Sequence, residues 1–322
     1  MSSSNRITNV AIVGASGRQG SAITAELLKT GQHNVTAITR VGSESPIPQG
    51  VKTTKVNYDE HAGLVKALNG HQALIITLGT RTPPEVQSNL IRAAGDAGVA
   101  WILPNHWSPD TEDEQLCKDV PFFETSKTTL HEIKQYGKSS YIAVACGFWY
   151  EWSLAIYDSY GFDIQNRKVT FFDDGKTRVN TSTWPQVGRA VAKLLSLPIK
   201  AEGRDGERCV ERFRNGYLRV SSFAVSQEDM LASLLRVTGT KEADWSVESV
   251  SAKKCWEEAM DAMQKGDHQA FVKVMYTPVF YKNGPGLYET KGLANELLGL
   301  PEEELDEFTA VAVERSKGNP YA

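Results

Sequence analysis

The sequence predicts an α/β protein whose first half is a parallel sheet covered by helices on both faces. Three observations carry this. Short apolar runs alternate with amphipathic, helix-spaced segments from residue 9 to residue 145, the pattern of strands buried on both faces. Three glycines, Gly14, Gly17 and Gly20, fall between the first apolar run and the first amphipathic segment. After Gly147 the alternation stops and helical patterns dominate, so a smaller, mainly helical region is expected beside the sheet.

Residues 9–13 read as the first strand and residues 21–28 as the body of the helix that follows. Second and third strands are expected over residues 35–39 and 51–56. Residues 61–68 read as a helix with Gly70 just past its end. A fourth strand spans residues 73–77. The next helix, 83–97, opens on prolines and stops at Gly98. Residues 101–103 give a fifth strand and 141–145 a sixth.

Between these last two lies PFFETSKTTLHEIKQYG, residues 121–137. Leu130, Ile133 and Tyr136 recur at helical spacing. Thr125, Ser126 and Thr129 are candidate N-caps, and Thr129 with Glu132 fits a capping box. On this reading Lys127 stands in or just before the first turn, where a cation is disfavoured by about 0.3–1 kcal/mol. It is then either a solvated lysine bearing that cost or a lysine whose pKa is meant to be low.

Beyond Gly147 the run FWYEWS is aromatic and irregular. A strand is expected over 168–172, with Asp173 and Asp174 turning a hairpin. Helices are expected over 184–195, 227–237, 252–263, 268–275 and 302–315, and a strand over 217–224 that returns to the sheet. The domain division is 1–155 and 156–322, with segments near 168–197 and 217–237 rejoining the first domain.

Composition narrows the functional classes. A chain of 322 residues with net charge -4 has no basic footprint, so nucleic acid is not an expected partner. No apolar run reaches the ~20 residues of a membrane helix, and the N-terminus lacks a signal-peptide pattern, so a cytoplasmic monomer or homodimer is expected. Cys117, Cys146, Cys209 and Cys255 are scattered and read as reduced thiols. The six histidines show no metal-ligand spacing, so no metal is expected.

The glycine triplet, Gly14-Ala-Ser16-Gly17-Arg18-Gln19-Gly20, sits where a strand turns into a helix. Glycines there permit a tight turn and the close approach of a pyrophosphate, and the helix points free N–H groups at it. This is the dinucleotide site of a Rossmann-type, doubly wound sheet. The second strand ends in Arg40 rather than in an acidic residue. A guanidinium suits a 2'-phosphate. With Arg18 in the loop, it selects NADP(H) over NAD. Strand ends supply the remaining contacts: Thr77, Leu78 and Gly79 after strand four (Thr80 follows), then Asn105 and His106 after strand five, near the nicotinamide.

These motifs resemble the NmrA-like and isoflavone reductase-like family of atypical short-chain dehydrogenases. WILPNHWSPD, CGFWYEWSLA, KVTFFDDGKTRVNTSTWPQVGRAVA and VSSFAVSQEDM are most similar to fungal CipA-like oxidoreductases. The resemblance spans roughly residues 7 to 310. It implies an NADP(H)-dependent enzyme of secondary metabolism, such as alkaloid biosynthesis, with Lys127 as acid/base and also at the cofactor. The tyrosine-x-x-x-lysine pair of ordinary short-chain dehydrogenases is absent. His106 replaces an acidic residue of the fungal branch, which removes the expected partner of Lys127.

The substrate cleft is expected between the sheet edge and the second region. Its walls would be Trp107, Phe148, Trp149, Tyr150 and Trp152, with Phe122 and Phe123 nearby, suiting an aromatic or polycyclic small molecule. Glu151, and more weakly Glu124, could be carboxylates of raised pKa that donate a proton. Three readings follow. One is a reductase using Lys127, with Asn105 and His106 orienting the substrate. One is a non-redox enzyme that keeps NADP(H) as part of its pocket, as in a Pictet–Spengler condensation through an imine. One is an NADP(H)-sensing regulator.

Overall fold

The computed structural model describes residues 4–79, 82–201 and 207–319; Thr80 lies outside these. The first half runs β1 (Asn9–Val13), α1 (Arg18–Thr30), β2 (Asn34–Arg40), β3 (Lys52–Val56), α2 (His61–Leu68), β4 (Ala73–Ile76), α3 (Pro84–Asp96), β5 (Trp101–Leu103), β6 (Trp107–Ser108), α4 (Glu114–Asp119), α5 (Pro121–Tyr136) and β7 (Ser140–Ala145). Then come β8 (Phe148–Trp149), α6 (Tyr150–Ser153), α7 (Tyr157–Tyr160), β9 (Phe162–Asp163), β10 (Lys168–Phe172), β11 (Val179–Ser182) and α8 (Trp184–Ser196). The rest is β12 (Gly216–Arg219), β13 (Phe223–Val225), α9 (Gln227–Thr238), β14 (Ser246–Val250), α10 (Ala252–Gln264), α11 (Phe271–Tyr276), α12 (Asn295–Leu298) and α13 (Leu305–Ser316).

The main sheet has the order β3-β2-β1-β4-β5-β7-β12, with β6 added against β7. Every pairing in it is parallel. The chain leaves β1 toward β2 and β3 on one side and returns to β4 on the other. That reversal opens a crevice at the carboxyl ends of β1 and β4, where doubly wound sheets bind ligands. One core lies on each face of the sheet. Ile12, Ile23, Leu27 and Val191 pack together on one face, and Val13, Leu64, Leu90 and Ile133 on the other. Helix α8 packs closely on α1, where Gly188 lets the Ala22 carbonyl approach. An added Cβ at Gly188 would stand 2.7 Å from that oxygen.

A third core, around Phe123, Tyr150, Tyr160, Phe172, Met230 and Phe280, organises the second region. It is framed by two small sheets, β14-β10-β9 and β13-β11-β8. Strand β12 belongs to the main sheet and β13, only a few residues on, to a small one.

Several expectations are corrected. Helix α5 starts at Pro121, not at Thr125–Thr129, so Lys127 is its seventh residue and does not stand at the positive end. Proline at the first helical position follows α4 directly and sets the start. The Thr129–Glu132 capping box does not form; Glu132 instead accepts from Ser88 and faces Arg92. Asp173, with φ 56°, does turn the chain, but no hairpin follows: β10 pairs with β9 and β14, and β11 with β8 and β13. The aromatic run is not irregular; it forms β8 and the single turn α6. The last helix starts at Leu305. No helix among the described residues is long and apolar enough to cross a membrane.

Candidate functional site

The glycine loop is shaped by close backbone packing. Gly14 has φ 82°, and a Cβ there would sit 2.0 Å from the Thr77 carbonyl oxygen. A Cβ on Gly20 would sit 2.0 Å from the Gly14 carbonyl oxygen. The Thr77 hydroxyl ties the two strands together by donating to the Val13 carbonyl at 2.8 Å. Gly20→Ala is therefore expected to cost about 1–3 kcal/mol of stability in urea unfolding. Gly17→Ala, whose Cβ would stand 3.3 Å from the Gly14 oxygen, should cost far less.

Helix α1 begins at Arg18, and its N-cap, Gly17, has no side chain to cap the helix end that opens on the crevice. The Gln19 side chain is buried, and neither its amide oxygen nor its nitrogen has a hydrogen-bond partner. A groove of about 570 Å³ runs from Gly14, Ser16 and Gly17 past Arg40, Ser43 and Tyr58 to Thr77, Leu78 and Gly79. Arg18 and Arg40 are exposed. A bare glycine cradle, an uncapped helix end, a partnerless buried amide and a guanidinium at the end of β2 fit an anionic dinucleotide.

Through Leu78, Gly79, Thr82 and Pro83 the groove continues into a recess of about 120 Å³ walled by Gln87, Asn105, Phe122, Thr125, Ser126 and Thr129. Asn105 does not point freely into it. Its amide clamps Leu78, accepting from the Leu78 N–H and donating to the Leu78 carbonyl, each at 3.0 Å. Gln87 holds the Asn105 N–H at 2.8 Å. Phe122 is exposed, and its ring meets that of Phe271 edge-on at 6.0 Å.

Lys127 lies one residue beyond Ser126 on α5, with its side chain one-third exposed and Nζ 3.8 Å from Glu124. Glu124 is more exposed still. His106 is fully enclosed. Thr111 Oγ1 lies 3.0 Å from its Nε2 and 2.9 Å from the Tyr217 hydroxyl. Burial lowers the His106 pKa to about 4, so the ring is neutral. Beside it the buried Asp110 carboxylate meets Arg219 at 3.0 Å and Lys291 at 2.8 Å.

The aromatic walls divide between structure and site. Trp107 donates from its indole to the Ile76 carbonyl at 2.9 Å. Phe148 is stacked on Tyr276 at 3.8 Å inside the third core, and Tyr150 is bonded there to Thr309. Trp152 packs half-buried against the same core. Trp149 is half-buried beside Trp184, with ring centroids 6.3 Å apart. The structure thus gathers Asn105, Phe122 and Ser126 at the recess, with Lys127 following Ser126 on α5 but outside the recess walls, and leaves Phe148 and Trp152 in packing roles. Gln87, Thr111, Tyr217 and Phe271 were not singled out from the sequence. Only the fold reveals their neighbours.

Glu151 belongs to another corner. Its Oε1 accepts from the Trp184 N–H at 3.0 Å, at the start of α8, and its Oε2 is buried without a partner. Burial raises its pKa from 4.5 to about 7; Glu303 adds to the rise, and the Trp184 N–H and Arg315 oppose it. Between those values the folded protein binds more protons than the unfolded chain, so stability falls as pH rises through the window. The contribution is roughly 3 kcal/mol. His106, with its lowered pKa, gives a slope of the opposite sign between about 4 and its unfolded value. Glu151→Gln keeps the acceptor and cannot titrate. Its stability relative to the native chain should rise by that amount from pH ~5 to ~8 in urea melts; parallel curves would sink the assignment.

A family model described as the NmrA-like family matches residues 7–203. Oxidoreductase aprR of Aspergillus flavus is 28% identical over 306 residues, covering 94% of this chain and 97% of that protein. Oxidoreductase poxI of Penicillium oxalicum is 25% identical over 306 residues, covering 92% and 91%. Among solved structures, AtPrR2 with NADP+ and (+)pinoresinol superposes with a TM-score of 0.77 at 19% identity, covering 95% of this chain and 99% of that one. A crystal structure of isoflavone reductase gives 0.74 at 18%, covering 94% and 98%. At such identities the likeness is one of fold.

Proposed function

The chain belongs to the NmrA-like family, and from that premise we propose that it is an NADP(H)-dependent reductase of small aromatic or polycyclic molecules. The observation that carries this reading is the continuity of the dinucleotide groove with the recess at Asn105, Phe122 and Ser126. Support comes from the curated relatives, which are named oxidoreductases, and from AtPrR2, whose structure holds NADP+ and pinoresinol.

Each residue has a task on this reading. The α1 N–H groups and Arg18 hold the pyrophosphate, and Arg40, beside Ser43, holds a 2'-phosphate. Reduced nicotinamide, when bound, supplies a hydride. Asn105 keeps Leu78 and Gly79 fixed at the junction of groove and recess. Phe122 offers a ring face to an aromatic substrate. Lys127 Nζ gives a proton to the substrate atom that becomes electron-rich, and solvent can restore it because Nζ is exposed. The non-redox reading loses its main acid, since Glu151 is buried and bonded at the start of α8.

The test uses NADPH deuterated at C4 on either face, the purified protein and an extract of its host's small molecules. A new product carrying deuterium supports the reductase. A product that needs NADP(H) but carries none overturns it in favour of the non-redox enzyme. Tight NADPH binding without any product, across extracts, points to the sensor.

A further inference from the structure

We infer that His106 is a positioning residue for Lys127: the Tyr217 and Thr111 hydroxyls fix its ring as the Nδ1–H tautomer, and that N–H braces the α5 turn carrying Lys127. The inference rests on the reductase reading for its purpose, though not for its test. Four observations support it. Tyr217, Thr111 and His106 form a continuous chain, with 2.9 Å and 3.0 Å between their polar atoms. The Tyr217 and His106 rings meet edge-on at 5.7 Å, so the chain is also packed in place. The opposite ring nitrogen, Nδ1, is buried, and the Ser126 backbone is the one group it faces. The ring lies against the Ser126 backbone, immediately before Lys127.

The direction of the chain follows from the ends. Tyr217 is half-buried on the edge strand β12, and its hydroxyl can donate inward to Thr111. Thr111 then donates to Nε2, which leaves the proton on Nδ1. A hydrogen on Nδ1 suits the Ser126 backbone: inside α5 its N–H is committed to the helix, and its carbonyl oxygen has a second lone pair to accept with. The reverse arrangement would set two lone pairs against each other in a dry site, at a cost comparable to a lost hydrogen bond. Burial keeps the ring uncharged across the physiological range, so the brace does not switch with pH. The Asp110 carboxylate, held by Arg219 and Lys291, anchors the same segment one residue before Thr111. Lys127 is thereby set relative to the sheet edge and not merely to its own helix.

Long-range proton–nitrogen NMR on ¹⁵N-labelled protein reads the ring tautomer, with His106→Asn assigning the signal. Reductive ¹³C-methylation of the lysines reports Lys127 separately, with Lys127→Arg as its assignment. The expected result is a neutral Nδ1–H ring in the native chain and in Thr111→Ser, and loss of the single tautomer in Thr111→Val and Tyr217→Phe. The Lys127 signal and its titration midpoint should shift in His106→Gln and return in His106→Asn, whose amide nitrogen takes the place of Nδ1. An Nε2–H ring, or a Lys127 signal alike in the native, Asn and Gln proteins, overturns the inference. Should the histidine variants fail to fold, the Ser and Val variants at Thr111 decide: equal tautomer mixtures in both count against it. None of these readouts requires turnover, so a failure to transfer deuterium overturns the reductase reading alone.

Discussion

Lys127→Ala is expected to lower NADPH-dependent turnover by about 10²–10⁴-fold while leaving NADPH affinity unchanged. The size follows from losing a positioned proton donor and nothing else. The side chain is one-third exposed, and its contact with Glu124 spans 3.8 Å between two solvated groups. Such a pair contributes at most about 1 kcal/mol, so the fold should tolerate the change. Glu124→Gln serves as the companion measurement, and a small effect is expected from it because Glu124 is the more exposed partner. The position also explains why Lys127 can act from mid-helix. At the seventh residue of α5 it lies beyond the reach of the positive helix end, which fades within the first turn. Steady-state rates and calorimetric NADPH titration, taken on the same preparations, check the two halves of the statement. Unchanged turnover with intact binding would remove Lys127 from the chemistry.

The dinucleotide half of the molecule was legible because its signals are local. The first strand, the glycine loop and the first helix are contiguous; Gly20 is demanded by the Gly14 carbonyl, and Gly14 by Thr77 just past the neighbouring strand β4. Alternation of buried strands and helices sufficed to place β1 to β5 and β7 and to make the sheet parallel; β6, two residues long, was not legible. The helix around Lys127 was misplaced for a local reason as well: three hydroxyl residues offered caps, while Pro121 offered a start, and the proline set it. The second region was hidden for a different reason. Strand β11 finds its partners in β8 and β13, and nothing in its four residues announces either. Glu151 read as a candidate acid from its aromatic neighbours; the Trp184 N–H that holds it lies 33 residues on. Thr111 and Tyr217 are 106 residues apart and become a pair only when β12 returns to β7.

The same long-range closure makes Asp110→Ala the change with the largest expected cost in stability, about 3–5 kcal/mol. Asp110 is fully buried, and burial by itself works against its charge. The bonds from Lys291 and Arg219 outweigh that and hold its pKa below the ordinary value. Removing the carboxylate strands Lys291 and leaves Arg219 with Glu112 alone. Those partners arrive from 181 and 109 residues away, so the loss loosens three segments at once. The depressed pKa sets the pH dependence. The stabilisation is present above the unfolded value of about 4 and fades as pH falls through the folded one, so native and variant melts should converge in acid. The cluster need not be the most stable filling for its site. Removing one partner of a buried ion group costs far more than replacing the whole group with apolar residues of similar volume. Asp110→Leu with Arg219→Met and Lys291→Met should therefore recover much of the stability lost in Asp110→Ala. If the triple variant melts like the native chain yet loses the single His106 tautomer, the charges are there to fix the geometry of the 106–112 segment. Recovery of both would mean that packing alone sets it.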